Sequence, residues 1–207
     1  MIKRRNLDDE VYDVLLHKIM HGEYEAGEKI RLENLAAELQ TSITPISSAL
    51  RQLQYRGLVT SKRGSGFHVA FFTREDLLEI LDALTKIYML AFDYIVRSEH
   101  FGTILQELTA LSEYSQLTLE NSTYEDYLRV DNLFHETIVQ QLNNRYLFNF
   151  YADTYRKACL YYQLQADSAK RGRSSARPEN HFRICQALQE KDMKALQEIV
   201  ISDFPLP

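Results

Sequence analysis

The chain has 207 residues, of which 45% are hydrophobic and 26% charged, the composition of a soluble globular protein. That length accommodates one large domain or two small ones, each with its own hydrophobic core. The net charge of −5 would by itself disfavour a nucleic-acid partner. The charge is uneven, however, because residues 1–74 hold 11 Lys and Arg against 9 Asp and Glu, while the remaining residues carry a net −7. This asymmetry predicts a locally basic head and an acidic body.

The sequence shows no secretory or membrane signal. Its first ten residues, MIKRRNLDDE, run directly into charged side chains and lack the apolar segment of a signal peptide. The most apolar run, residues 87–96, is interrupted by Asp93 and is too short to span a bilayer. Cys159 and Cys185 both lie in apolar helical patterns, which favours reduced core thiols over a disulfide. We therefore expect a cytoplasmic protein with no membrane partner.

The first predicted helix begins near Asn6 or Asp8, either of which can cap it. Its apolar residues recur at helical spacing, and a glycine-bearing turn at residues 21–30 follows it. The predicted core face consists of Val11, Val14, Leu15, Ile19 and Met20.

Residues 32–70 predict two short helices joined by a tight turn, then a basic β-hairpin, which is the order of a winged helix-turn-helix. Thr44 is the predicted N-cap of the second helix, because its hydroxyl can accept a hydrogen bond from an unpaired amide. Pro45 suits the first helical position, and Gly57 closes the helix. The hairpin strands are predicted at residues 58–60 and 67–70.

The same segment has an uneven charge. No Asp or Glu occurs between Leu39 and Arg74, although several Lys and Arg do. A basic stripe suits a polyanion, because each neutralised phosphate releases condensed counterions; the alternative is a solvated face on an ordinary helical protein. We predict that double-stranded DNA contacts the second helix and the hairpin. The predicted contact residues are Ser42, Thr44, Ser47, Ser48, Arg51, Lys62, Arg63, Ser65 and Gly66.

The rest of the chain predicts an all-α bundle of about six helices. Thr73 and Asp76 form a capping-box variant at its start, and no convincing strand follows. The basic, polar stretch RGRSSARP, residues 171–178, predicts a mobile loop. The fold class is therefore mainly α, with a winged helix-turn-helix at 1–73 and a helical domain at 74–207. The predicted helices lie near residues 75–98, 101–119, 123–143, 145–168, 177–190 and 192–203.

Asp131 and His135 lie four residues apart, which places a carboxylate and an imidazole on one helical face. His181 begins a later helix, and Asp203 lies near the end of the last one. Carboxylate and imidazole together suit a divalent cation such as zinc, manganese or nickel. The alternative is a surface histidine that lies beside an aspartate without any ion.

The N-terminal pattern resembles the winged-helix domain of the GntR family of bacterial transcriptional regulators. The resemblance is carried by VYDVLLHKIMHGEYEAGEKI, LENLAAEL, TSITPISSALRQL, RGLV and RGSGFHV. The helical body resembles the FadR-type effector domain of that family, called FCD. The likeness covers nearly the whole chain, and the late motif Asp-x-x-x-His followed by a further His belongs to it.

The resemblance implies a metal inside the helical bundle, next to a pocket for a small organic acid. The matching ligands are Asp131, His135 and His181, and the fourth position falls on Asp203, where the family commonly has His. We expect this exchange to lower metal affinity and to change the preferred metal.

Other positions depart from the family pattern. Ile43 and Ser47 stand where the family usually has arginines beside the Thr-Pro of the second winged-helix helix. Arginine can contact phosphate or read guanine bidentately, so we expect weaker or differently specified DNA binding. Leu84 and Tyr88 occupy positions where relatives often carry an effector-contacting Arg and Glu. Tyr155, from a tyrosine-rich helix, is a further predicted pocket residue.

These features favour a homodimeric transcriptional regulator that binds a palindromic operator and senses a small molecule in its helical domain. Effector or metal binding is expected to change the placement of the two winged helices against successive major grooves. One alternative is a ligand-binding relative that has lost DNA binding. The other is a metal-dependent enzyme, but no general base or nucleophile constellation stands out beside the metal residues, so we predict no enzyme activity.

The basic stripe can be tested with Arg51→Ala and Arg63→Ala. Each substitution should weaken duplex binding and reduce its salt dependence without unfolding the protein, because a phosphate contact is lost. Fluorescence anisotropy across a salt series measures both quantities. Unchanged affinity in both variants would mean that another surface contacts DNA.

Overall fold

A computed structural model describes residues 7–62, 64–165 and 177–203 of the chain. The described residues are mainly helical, with one small antiparallel sheet, which confirms the predicted fold class. The elements in chain order are α1 (Leu7–Met20), β1 (Lys29–Ile30), α2 (Leu32–Glu38), α3 (Ile43–Tyr55), β2 (Val59–Lys62), β3 (Gly66–Val69), α4 (Arg74–Arg97), α5 (Phe101–Asn121), α6 (Tyr124–Gln140), α7 (Arg145–Gln165), α8 (Pro178–Glu190) and α9 (Met193–Asp203).

The described residues divide into two compact units. The first comprises those within Met1–Leu77 and Tyr155–Ala166, and the second those within Leu78–Thr154 and Asp167–Pro207. Residues 145–154 of α7 therefore belong to the second unit, and residues 155–165 belong to the first. The boundary at residues 73/74 stays a prediction.

The first unit is a winged helix. Strands β2 and β3 pair antiparallel, with Val59 opposite Val69, and form the predicted hairpin. Strand β1 pairs with the other edge of β3, giving the sheet order β1-β3-β2. The sequence predicted only a turn at residues 21–30, whereas the structure has strand β1 at its end. Two residues are too few to show the alternation of a strand.

Helix α3 is strongly two-sided. Ile46, Leu50 and Leu53, which recur at helical spacing in the sequence, are fully buried and pack in a core with Leu15 and Ile19 of α1. Leu160 of α7 is also fully buried in this core. Val14, predicted for the core face of α1, is instead 39% exposed, because it lies beside the strip that α3 covers.

Side-chain hydrogen bonds mark the starts of α4 and α6 but not the start of α3. Helix α3 begins two residues earlier than predicted: its N-cap is Ser42 and not Thr44, and Pro45 is its third residue and not its first. Ser42 makes no side-chain capping bond. The box at the start of α4 is confirmed: the Asp76 amide donates to Thr73 Oγ1, and the Thr73 amide donates to Asp76 Oδ2. Helix α6 has the same reciprocal box between Thr123 and Asp126.

The second unit is a helical bundle formed by α4, α5, α6, α8, α9 and the first part of α7. Its fully buried aromatic core includes Tyr88, Phe92, Phe134 and Tyr151. All six helices predicted for the body are present among the described residues, although α6 ends at Gln140 instead of 143. Most of the loop predicted at residues 171–178 lies outside the described residues.

Cys159 and Cys185 are not joined in a disulfide; Cys185 is buried and Cys159 half-buried. Within the described ranges, none of the helices combines the length and the apolar character needed to cross a bilayer.

Gly57 should be sensitive to substitution. It follows α3 with a φ of +75°, a conformation that a Cβ atom disfavours, and an added Cβ would lie 2.8 Å from Lys157 Cε. Gly57→Ala should lower the free energy of unfolding by about 1–2 kcal/mol, as measured by urea denaturation. Gly102→Ala is the matched control, because a Cβ there meets nothing within 4 Å. Equal effects at the two positions would contradict the backbone argument.

Candidate functional site

The exposed side of α3 forms an open groove on the winged helix. Since α3 buries one side, the residues between its buried positions face outward in two rows of i, i+4 neighbours. One row runs from Ile43 to Tyr55 and the other from Thr44 to Arg56. The lining residues are Ile43, Thr44, Ser47, Ser48, Arg51, Gln52, Tyr55 and Arg56.

Most of the predicted DNA-contact residues lie on or near this groove. Ser42, Thr44 and Arg51 are exposed, and Ser47 and Ser48 are half-buried along the same helix. Arg63 lies outside the described residues. The remaining three belong to the hairpin: Lys62 and Gly66 are exposed and paired in register across β2 and β3, and the Ser65 hydroxyl lies 3.1 Å from His68 Nε2.

Four residues that line the groove were not among the predicted DNA contacts. Gln52 and Arg56 continue the row that starts at Thr44, and Ile43 and Tyr55 stand at the two ends of the other row. Tyr55 is 92% exposed and Ile43 is 44% exposed. Extending the helical periodicity by one turn in each direction would have found them.

A second constellation lies in the helical unit, where α6 and α8 bring two histidines and a carboxylate together. The ligand atoms offered by Asp131, His135 and His181 all lie within 4.8 Å of one another. Asp131 Oδ1 is 3.2 Å from His181 Nε2. Both histidine rings are buried, and the His181 ring stacks on Phe134 with centroids 4.0 Å apart.

Asp203, from the end of α9, completes this polar cluster. Its Oδ2 lies 3.5 Å from His135 Nε2, and its Oδ1 accepts a hydrogen bond of 2.7 Å from Asn180 Nδ2. Asn180 is buried and in turn accepts from Arg183 Nη1 at 2.9 Å. Asn180 was not among the predicted site residues, although it directly precedes His181 in the sequence.

Two tyrosines hold the α6 ligand residues. The Tyr127 hydroxyl donates to Asp131 Oδ1 at 2.8 Å from one turn earlier on the same helix. The Tyr88 hydroxyl on α4 lies 3.0 Å from His135 Nδ1 and 3.1 Å from the Tyr151 hydroxyl on α7. Because Tyr88 occupies Nδ1 of His135, Nε2 is the nitrogen directed towards Asp203.

The electrostatics favour the forms that bind cations. Burial alone would raise the pKa of Asp131, but its hydrogen bond with His181 and the charges of the nearby imidazoles outweigh burial and lower that pKa. Burial lowers the pKa of His135 and raises the pKa of Tyr88. At neutral pH, Asp131 is therefore a carboxylate and His135 a neutral imidazole, as coordination of a metal requires.

The donor set fits a divalent cation. The imidazoles of His135 and His181 and the carboxylate of Asp131 are ligand types that zinc, manganese and nickel accept. Among the described residues, Asp203 is not part of this close group and approaches it at His135. In addition, His181 Nδ1 is buried and has no hydrogen-bond partner among the described residues. An unpaired nitrogen in a buried imidazole costs free energy that a bound ion or water would offset.

The three residues predicted for an effector pocket do not all belong to the same unit. Leu84 and Tyr88 are both buried on α4 in the helical unit, and Tyr88 belongs to the polar cluster. Tyr155 is buried too, but it belongs to the unit that contains the winged helix. Tyr88 contacts Tyr151, which lies one helical turn before Tyr155 on α7.

Comparison with protein families assigns both units. The profile described as "Bacterial regulatory proteins, gntR family" matches residues 7–69, and the profile of the FCD domain matches residues 99–203. The first range contains the winged helix, and the second contains Asp131, His135, His181 and Asp203.

Individual relatives agree with these matches. The chain is 26% identical over 200 residues to the HTH-type transcriptional regulator YdhC of Bacillus subtilis, covering 94% of this chain and 86% of that protein. It is 27% identical over 130 residues to the gluconate operon transcriptional repressor of Bacillus licheniformis, covering 63% of this chain and 53% of the repressor. The solved structure of E. coli McbR/YncC shares the fold, with a TM-score of 0.71, 23% identity and coverage of 97% and 94% of the two chains.

The Tyr88 hydroxyl should contribute to stability. Tyr88→Phe keeps the ring but removes two buried hydrogen bonds, and should lower the free energy of unfolding by about 1–3 kcal/mol. Tyr94→Phe on the same helix is the matched control, since Tyr94 is 50% exposed and should change stability little. Thermal denaturation followed by circular dichroism compares the two. A Tyr88→Phe variant as stable as the control would show that these contacts contribute nothing.

Proposed function

The chain belongs to the GntR family of bacterial regulatory proteins and carries the family's FCD effector-binding domain, and we propose that its response to effector runs through a divalent metal bound by the polar cluster of the helical unit. It is a DNA-binding transcriptional regulator, with the winged helix as the DNA-binding part. The observation that carries the proposal is the approach of the Asp131, His135 and His181 ligand atoms to within 4.8 Å of one another.

The exposed side of α3 is the proposed DNA-reading surface. A recognition helix enters the major groove with its N-terminal residues against base edges, which assigns Thr44, Ser47 and Ser48 to the bases. Arg51 and Lys62 are exposed cations that would contact phosphate and position the helix. The lack of Asp and Glu between Leu39 and Arg74 supports this surface, since no carboxylate there repels the phosphates.

The proposed metal ligands are Asp131, His135, His181 and Asp203. A divalent cation bound there supplies a concentrated positive charge that attracts the carboxylate of a small organic acid. Asn180 and Tyr127 hold the two carboxylates, and Tyr88 fixes the ring of His135. Such supporting hydrogen bonds orient ligands before the ion arrives.

The proposed effector is a small organic acid that binds in the helical domain beside this cluster. Leu84 and Tyr88 are the pocket residues proposed within this unit, where the Tyr151 hydroxyl lies next to that of Tyr88. Tyr155 belongs to the other unit and stays a prediction from the sequence. One relative is named as a gluconate operon repressor, which supports a sugar acid as a representative ligand. The domain boundaries that we propose are 1–73 for DNA binding and 74–207 for effector binding and dimerisation.

Regulation requires differential binding. The effector must bind more tightly to one of two states of a homodimer, and typical couplings of about 1–3 kcal/mol change operator affinity by about 5- to 150-fold. Two winged helices in a dimer would read two half-sites about one helical turn apart on a palindromic operator.

Removing both histidines tests the metal site. The double substitution His135→Ala and His181→Ala should abolish bound zinc, manganese or nickel, because two ligands are lost. Elemental analysis after reconstitution with each metal and desalting measures the stoichiometry. His100→Ala is the control, since His100 is exposed at the start of α5 and should leave the stoichiometry unchanged. Full retention of metal in the double variant would contradict the assignment.

The same proteins test the effector. Duplexes selected with wild-type protein are titrated in the presence of gluconate and of small mono- and dicarboxylic acids. An acid that shifts duplex affinity of metal-loaded wild type should have no such effect on the double variant. An equal response in both proteins would show that the effector binds without the metal.

A further inference from the structure

We propose that Ile43 is a specificity-determining residue that selects a thymine in each operator half-site by packing against its 5-methyl group. The inference rests on the DNA-binding function stated above and concerns which base this chain prefers. It starts from an exposed apolar side chain that the fold of the winged helix does not explain.

Ile43 does not belong to the core. It is 44% exposed, whereas the buried side of α3 consists of Pro45, Ile46, Ala49, Leu50 and Leu53. It is the first residue of α3 and lines the open groove. At the start of a recognition helix, an exposed apolar side chain offers surface that a DNA partner can cover.

The position of Ile43 at the start of α3 favours contact with the base edges of DNA. Ile43, Ser47, Arg51 and Tyr55 form one row at i, i+4 spacing, and the row is about 18 Å long at 1.5 Å per residue. The N-terminal end of a recognition helix lies deepest in the major groove, where the base edges are. Ser47, directly after Ile43 in this row, is small and leaves room for close approach. Tyr55 at the far end would lie near the phosphate backbone.

The apolar side chain of Ile43 favours thymine over the other three bases. In the major groove, guanine offers two acceptors, cytosine a donor and adenine one of each, but thymine alone offers a methyl group. An isoleucine placed against guanine or cytosine would remove water from polar groups without replacing their hydrogen bonds. Against thymine it buries apolar surface on both sides.

The charge of the surroundings favours DNA over a protein as the partner of this surface. Arg51 and Arg56 line the same groove, and no Asp or Glu occurs between Leu39 and Arg74. An apolar residue within a cation-bearing groove fits a polyanion that also exposes methyl groups, as thymine-containing DNA does.

Selection from random duplexes tests the base preference. Full-length wild type should enrich palindromic duplexes with a conserved thymine in each half-site, and Ile43→Ala should lose the preference at that position while it keeps the others. Gln54→Ala is the matched control, because Gln54 is exposed on α3 but does not line the groove. Its selected sequences should equal those of wild type.

The methyl group itself is tested by replacing single thymidines of the selected duplex with deoxyuridine, which removes only the 5-methyl. At one position per half-site, wild-type affinity should fall about fourfold, the effect of one methyl group lost from an apolar contact. Ile43→Ala should bind both duplexes equally, whereas Gln54→Ala should show the wild-type loss. Fluorescence anisotropy at constant ionic strength measures these affinities.

Two results would overturn the inference separately from the DNA-binding function. One is an enriched duplex in which no thymine is sensitive to deoxyuridine. The other is a sensitive thymine whose effect persists in Ile43→Ala. If wild type enriches no duplex at all, the DNA-binding function fails and the thymine contact fails with it.

Discussion

Polar groups buried in a helical bundle cost free energy unless each finds a partner, and this constraint organises the helical unit. Asp131 and His135 are on α6, His181 is on α8 and Asp203 is on α9. Tyr88 on α4 and Tyr151 on α7 complete the hydrogen bonding. The cluster thus connects five helices. The residual cost is the buried Nδ1 of His181, which has no hydrogen-bond partner among the described residues, whereas Nε2 of the same ring faces Asp131.

In the winged helix, the two sides of α3 have different roles. The buried residues of α3 attach it to α1, which allows its other side to consist of small, polar and basic residues without loss of the core. Because the attached side is rigid, the exposed side is presented as a preformed surface, which reduces the entropy lost on binding. Helix α7 supplies Tyr151 to the helical unit and Leu160 to the core of the winged helix, so both units include part of one continuous helix.

Membership of the family sets the framework, and the proposals for this chain concern residues that depart from the pattern expected for it. Ile43 and Ser47 stand where arginines are expected beside the Thr-Pro of the recognition helix, and the thymine contact proposed for Ile43 would be an apolar contact in place of a hydrogen bond. Asp203 stands where an imidazole is expected, and its carboxylate accepts a hydrogen bond from Asn180. As a ligand of the proposed metal, a carboxylate in place of an imidazole would make the donor set harder.

Local patterns in the sequence were sufficient to predict the hairpin and the helices of the described residues, although not the strand β1 or the first residue of α3. Helical spacing placed Ile46, Leu50 and Leu53 on one side of α3, and the Thr73–Asp76 pair marked the start of α4, because both depend on neighbours within one turn. The same spacing brought Asp131 and His135 together. Only the tertiary structure decided that Asn180 holds Asp203, that Tyr151 contacts Tyr88, and that Ile43 stays exposed. These contacts join different helices, or depend on which strip of a helix its neighbour covers. They are set by the crossing angle and height at which helices pack, which the periodicity of a single helix does not contain.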